Sequence, residues 1–196
     1  MKCHQGPTSF RGQSGLTLLE LMITVAVIAI LVSVAVPSYQ DISRSLTVRG
    51  AAFQLFETVH LGRSEALKRN SEDVALKFLT PGTGDWCIRL TDAPDSCSSC
   101  AYEGQANKCD IDGEGIVRGV DGAHFPNVSL SSTYTTLNLS QRRNTLASGN
   151  VRFELGTKTA CLVTSSLGRA RLCTPSGSDA IWGMEQCEVN VCSSAE

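Results

Sequence analysis

The stretch Leu16 to Val36 constrains this chain most. It reads LTLLELMITVAVIAILVSVAV, apolar throughout except for Thr17, Thr24, Ser33 and one glutamate, Glu20. At about 1.5 Å rise per residue, a helix of this length spans about 30 Å, the thickness of a bilayer's hydrocarbon core. A carboxylate inside such a segment costs roughly 2.5–3.5 kcal/mol on insertion scales, so its presence asks for a functional reason. The leader, Met1 to Gly15, carries Lys2 and Arg11 with no Asp or Glu, and has neither an apolar core nor an A-x-A cleavage site. It is not an ordinary secretory signal peptide. Its basic charge predicts a cytoplasmic amino terminus and an exported carboxyl end.

The run Gly15-Leu16-Thr17-Leu18-Leu19-Glu20 behind a short basic leader resembles the type IV prepilin signature, with glutamate as the fifth residue after the cut. Leu16 stands where that family usually has Phe. The resemblance implies that prepilin peptidase cleaves after Gly15 and methylates the new terminus at Leu16. It also implies that Glu20 pairs with the amino terminus of a neighbouring subunit in a growing fibre. Physical chemistry supports that role, because a lone carboxylate in a low-dielectric bundle is strongly disfavoured and a paired one much less so. Glu20 is therefore the candidate for setting subunit register.

The chain has 196 residues and a formal charge of −2. Removing Lys2 and Arg11 with the leader leaves 15 basic against 19 acidic side chains, so the processed chain carries −4 and any nucleic-acid site must be a local patch. Of nine cysteines, cleavage removes Cys3 and leaves Cys87, Cys97, Cys100, Cys109, Cys161, Cys173, Cys187 and Cys192. An even number in a small exported domain reads as disulfides. Cys161 and Cys173 sit symmetrically about Leu167 in CLVTSSLGRARLC, so a hairpin there sets them face to face, and Cys187 with Cys192 can close a small terminal loop. Cys97, Cys100 and Cys109 offer three zinc ligands, but a fourth is not evident.

Pro37 removes one backbone hydrogen bond and is expected to kink the helix rather than end it. Beyond it Ile42, Leu46, Phe53, Phe56, His60 and Leu67 fall on one stripe at helical spacing, with Ala52 and Val59 widening it and Arg49 and Arg63 at its edge. Asn70, Ser71, Glu72 and Asp73 read as the helix end, giving a helix of about 55 residues. Strands are predicted at Val74–Leu79, Trp86–Thr91, Gly115–Val120, Val128–Ser131, Thr135–Leu139, Val151–Leu155, Thr159–Thr164 and Arg169–Cys173, with a Cys-rich loop over Ala93–Gly113. The fold class is α+β and pilin-like: a long N-terminal helix, membrane-spanning in its first half, packed on an antiparallel β-sheet head. The expected divisions are a leader over 1–15, an assembly half of the helix over 16–37, an amphipathic half over 38–70, and a stapled head over 71–196.

Leu61 to Asn70, LGRSEALKRN, resembles the "ARSEAIKRN" segment of the FimT/FimU/GspH group of minor pilins and pseudopilins, and Trp86 takes the place of that group's Trp near the second strand. Ser166 to Cys173 is similar to the group's late G-R-x-R segment followed by cysteine. The resemblance implies a structural subunit that joins other minor pilins, the major pilin and the inner-membrane assembly platform, primes pilus assembly and enters the fibre at or near its tip. The implied location is the inner membrane, single-pass with a periplasmic carboxyl domain, and then the fibre. The alternative within the class is a GspH-like minor pseudopilin of a type II secretion system. The alternative outside it is a DNA receptor for uptake, through Gly168, Arg169 and Arg171. Two arginines two apart on a strand share one face and can meet successive phosphates without reading bases. Arg142, Arg143 and Lys158 are candidates to extend that patch.

Catalytic patterns are absent from the sequence. His4 lies in the leader, His60 and His124 lack neighbours at metal-ligand spacing, and no H-E-x-x-H, G-x-S-x-G or P-loop occurs. Asp110-x-Asp112-Gly113-Glu114 reads as a solvated turn rather than a calcium loop. No enzyme activity, cofactor or metal is expected.

Overall fold

The structure is a computed structural model that describes residues 17–71, 73–80, 85–101, 107–111, 113, 115–139, 145–188 and 191–192. One helix, α1 (Leu18–Arg69), is followed by strands β1 (Ala75–Leu79), β2 (Cys87–Thr91), β3 (Gly119–Asp121), β4 (Ser129–Ser132), β5 (Thr136–Asn138), β6 (Gly149–Leu155), β7 (Lys158–Thr164), β8 (Ala170–Thr174) and β9 (Glu185–Gln186). The chain divides into two compact units, one ending at Asp41 and the other Ile42–Glu196.

The first unit holds the amino-terminal part of α1. Its large apolar side chains are exposed, from Leu18 at 80% to Val36 at 47%, and α1 is long and apolar enough to cross a membrane. The hydroxyls within it are satisfied locally: Thr24 Oγ1 donates to the Leu21 carbonyl and Ser33 Oγ to the Ile30 carbonyl. Such back-bonding is how polar side chains are tolerated where water is missing. The helix continues through Pro37, as the sequence led one to expect.

In the second unit α1 packs on two sheets of order β3-β2-β1-β5 and β4-β6-β7-β8-β9, antiparallel except for the β8–β9 pair. The buried face of α1 is Val48, Ala51, Ala52, Leu55, Thr58, Val59, Gly62 and Ala66. This corrects the stripe read from the sequence. Ile42, Leu46, Phe53 and Leu67 are exposed, and Phe56 is only partly buried. The physical reason is close approach: small residues let the backbone sit against the sheet, so the face with the larger side chains is not the one that packs. At Gly62 a Cβ would lie 2.7 Å from Leu90 Cδ1 and closer still to Leu139. Arg49 and Arg63, at the edge of that stripe, donate to backbone carbonyls of the head at Trp182 and Gly168. The helix ends where Asn70 takes a left-handed conformation (φ 52°) and the Ser71 N–H closes on the Ala66 carbonyl, a C-terminal cap of the Schellman kind.

The predicted strands all have counterparts. The third shrinks from Gly115–Val120 to Gly119–Asp121, and β9 is additional. Trp86 is buried just before β2, where its Nε1–H donates to the Val128 carbonyl at 2.7 Å. β7 is buried along its whole length because its two faces serve different layers. Ala160 and Leu162 join Val151 and Phe153 in the main core, while Cys161 and Val163 form a second small cluster with Cys173 and Cys192. That alternation is the period-2 geometry of a strand, and it places the C-terminal tail over the outer face of the second sheet.

Candidate functional site

The amino-terminal end of α1 starts with a helix cap. Thr17 precedes the first helical residue, and its Oγ1 accepts the Glu20 N–H at 3.2 Å. Thr17-x-x-Glu20 therefore has the capping-box pattern with Glu20 at the third helical position, where its negative charge also suits the positive end of the helix dipole. This signal was present in the sequence as Thr followed three residues later by Glu. It places Glu20 one turn from the end that cleavage at Gly15 would create. Gly15 and Leu16 themselves lie outside the described residues.

The basic tip is the β7–β8 turn. Gly168 is in the left-handed region (φ 75°), its N–H donates to the Ser165 carbonyl, and the Ser165 N–H donates to the Arg169 carbonyl at 3.0 Å. Arg63 of α1 holds the Gly168 carbonyl from below. Burial lowers the Arg63 guanidinium pKa from its usual value. The turn thus presents Leu167, 76% exposed, and Arg169, which is exposed and makes no ion pair among the described residues. Arg171 is also exposed, and its Nη1 lies 3.5 Å from Glu188 Oε1 in the tail. Glu188 is a residue the sequence reading missed, since nothing local announces that the tail returns to β8. Lys158 does not extend the patch. It is at the far end of β7, buried, 4.0 Å from Asp179 and donating to the Ala180 carbonyl. Arg142 and Arg143 lie outside the described residues.

The eight cysteines among the described residues are all paired: Cys87–Cys100, Cys97–Cys109, Cys161–Cys192 and Cys173–Cys187. The first two staple the loop after β2. Arg89, buried in β2, braces that loop by donating to the Cys100 carbonyl and to Asp121 Oδ2 at 2.7 Å. Burial raises the Asp121 pKa, but the hydrogen bonds from Arg89 and the Ala123 N–H outweigh it and leave the carboxyl below its usual range. Cys97, Cys100 and Cys109 are thus not one ligand set. The second two pairs correct the expected Cys161–Cys173 and Cys187–Cys192 bonds. Cys161 and Cys173 are register partners, as a hairpin about Leu167 requires. Counting the alternation from the Ser165–Arg169 hydrogen bond puts them at a hydrogen-bonded pair, where side chains stand farther apart than at a non-bonded pair. The tail, lying across the same face, takes both sulfurs instead.

Residues 51–168 match the family model described as type II transport protein GspH, more than half of the chain. The chain belongs to the GspH family. Residues 10–36 of this GspH-family chain also match the model of the prokaryotic N-terminal methylation motif. It is 58% identical over 38 residues to fimbrial protein Q of Moraxella bovis, and equally to the type IV major alpha-pilin of Moraxella bovis. Each match covers 19% of this chain and 24% of the relative, so the likeness is confined to a short segment. No solved structure matches. The GspH model runs through the stapled loop between β2 and β3.

Proposed function

We propose that this GspH-family chain is a minor type IV pilin, cleaved after Gly15 and methylated on Leu16 by prepilin peptidase, anchored in the inner membrane with its head in the periplasm. It joins other minor pilins and the major pilin on the assembly platform, primes the fibre and stays at or near its tip. The observation that carries this reading is the placement of Glu20. It is the single carboxylate of an otherwise apolar segment, it sits in the first turn of α1, and the large side chains around it are exposed among the described residues. A subunit that needs a neighbour's terminus to neutralise Glu20, and a neighbour's helix to cover Leu18 to Val36, is built to be one of many. Glu20→Ala is expected to leave membrane insertion intact and to abolish recovery of the subunit in sheared fibres. Normal incorporation of that variant overturns the reading.

The description of the matched family favours a second reading, a minor pseudopilin of a type II secretion system. Co-purification from cells decides between them: pilus subunits on one side, secretion-system pseudopilins on the other. DNA binding is supported by Arg169 alone in its present state, since Glu188 already faces Arg171. Two phosphate contacts give weak binding with a shallow salt slope. Arg169→Ala with Arg171→Ala is expected to remove that binding, and unchanged binding to duplex DNA across a salt series dismisses the site.

A further inference from the structure

The second pair of disulfides is not two separate staples. The sulfurs of Cys161, Cys187 and Cys192 all lie within 4.8 Å of one another, and Cys173 is bonded to Cys187. Four sulfurs therefore share one small apolar cluster, with Val163 and Val191 packed around it. The Cα atoms are 6.4 Å apart for Cys161–Cys192 and 4.9 Å for Cys173–Cys187, within disulfide range. The unused pairing is also within reach. Cys161 and Cys173 are cross-strand partners at a hydrogen-bonded pair, where Cα atoms stand about 5.5 Å apart; this is within disulfide range for the backbone, although the two side chains must close from their wider resting spacing to bond. The Cys187 and Cys192 sulfurs are already neighbours.

We propose that these four cysteines form a thiol–disulfide exchange site, whose second pairing, Cys161–Cys173 with Cys187–Cys192, unfastens the C-terminal tail from the sheet. In the observed pairing both bonds run from the tail to β7 and β8. In the second, one bond closes the β7–β8 hairpin on itself and the other closes the tail on itself. The segment before β9 stays fixed by buried Ile181 and by the bonds to Asp179, Ala180 and Trp182, whereas from β9 onward the described contacts that the tail keeps are the short parallel pairing with β8, the Cys187 N–H bond to the Thr174 carbonyl at 2.8 Å and the Asn150 bond to the Val191 carbonyl at 3.4 Å. Glu188 leaves with it, and Arg171 loses the carboxylate that faces it.

The co-reactant is a thiol, and it is not consumed. Cys192 borders an open cleft of about 470 Å³ lined by Arg152, Glu154 and the 175–178 turn, which admits a small thiol. The thiolate attacks Cys192 Sγ, forming a mixed disulfide and releasing the Cys161 thiolate. That thiolate attacks Cys173 Sγ, forming Cys161–Cys173 and releasing the Cys187 thiolate. Cys187 then attacks the mixed disulfide at Cys192, forming Cys187–Cys192 and returning the thiolate. Two disulfides stand at both ends, so no net oxidation or reduction occurs. The Cys161, Cys187 and Cys192 sulfurs are already neighbours, and the second step joins Cys161 to its cross-strand partner Cys173, so each attack is local, as exchange requires.

The test uses the full chain in detergent micelles, incubated in glutathione redox buffers, quenched with acid and N-ethylmaleimide, and mapped without reduction. Cuts after Lys158, Arg169, Arg171, Glu185 and Glu188 place the four cysteines on four separate peptides. Cys161–Cys173 and Cys187–Cys192 cross-links are expected to appear together, in equal amounts, and phenylglyoxal labelling of Arg171 is expected to rise with them. In Cys192→Ser, Cys161–Cys173 is expected to become the main cross-link of this cluster with Cys187 alkylated. In Cys161→Ser, Cys187–Cys192 is expected with Cys173 alkylated. Wild-type protein that shows only the observed pairing at every thiol concentration overturns the exchange site, whether or not the variants accumulate. Exchange without increased Arg171 labelling overturns the release of the tail.

Discussion

Leu55 and Leu46 give the sharpest test of how α1 meets the head. Leu55 is fully buried, while Leu46 is 58% exposed, although both are leucines of one helix and Leu46 belongs to the stripe of large side chains that periodicity favours. Leu55→Ala removes a side chain wholly enclosed by the core, and such truncations cost about 2–5 kcal/mol, depending on how far the site collapses. Leu46→Ala removes a side chain the folded chain does not enclose. Its cost is expected within about 0.5 kcal/mol, and Ala's better helix propensity offsets part of it. For a chain of this size about 1 kcal/mol moves the midpoint by about 2–4 °C, so Leu55→Ala is expected to lower Tm by roughly 4–20 °C and Leu46→Ala by no more than about 2 °C. Thermal unfolding of the detergent-solubilised chain, followed by the fluorescence of the buried Trp86, reads both. Equal losses, or a larger loss at Leu46, would refute the assignment of the buried face.

Further outcomes follow from charged groups in the head. Glu65 is held below its usual carboxylate range, first by its hydrogen bond from Lys68 at 2.9 Å, with Arg118 and Arg69 adding to it, and Asp121 is lowered by Arg89. Folded-state pKa values below the unfolded ones mean stability that is present above about pH 4 and lost as pH falls through the folded values. Acid titration of the folded signal is expected to show loss beginning below about pH 4, and the Glu65→Gln variant is expected to lose less. Asp92 works the other way: burial raises its pKa, so its ionisation slightly opposes folding as pH rises through it. Arg89→Ala leaves the Cys100 carbonyl and Asp121 Oδ2 without the Arg89 donor, while Asp121 Oδ1 keeps the Ala123 N–H. It is expected to cost about 1.5–3 kcal/mol, with Arg89→Lys recovering only part of it, as denaturant midpoints will show.

What could be read from the sequence was local. Hydrophobic alternation located the strands, and the symmetry about Leu167 located the β7–β8 turn. Asn70 marked the helix end because its left-handed conformation closes the last turn. The prepilin signature around Glu20 is carried by residue order alone, and the methylation-motif match covers it. What could not be read was decided at a distance. The buried face of α1 depends on Leu90 and Leu139 crowding Gly62, which weighs small residues above large ones. The disulfide pairing depends on a tail that returns across β7 and β8, and symmetry about Leu167 describes only the hairpin. Lys158 seemed free to join Arg169 because its buried place beside Asp179 is set by a segment more than twenty residues further on. The split of the strands into two sheets has the same origin, since β5 pairs with β1 across the whole stapled loop.

The central claim is that an ionisable side chain is tolerated in an apolar anchor because processing creates a partner for it. Intact-mass and amino-terminal mapping of the subunit recovered from cells tests this most directly. The account predicts a chain beginning at N-methylated Leu16, with Glu20 as its fifth residue. A mature chain that keeps its leader, or begins at any other residue, contradicts it.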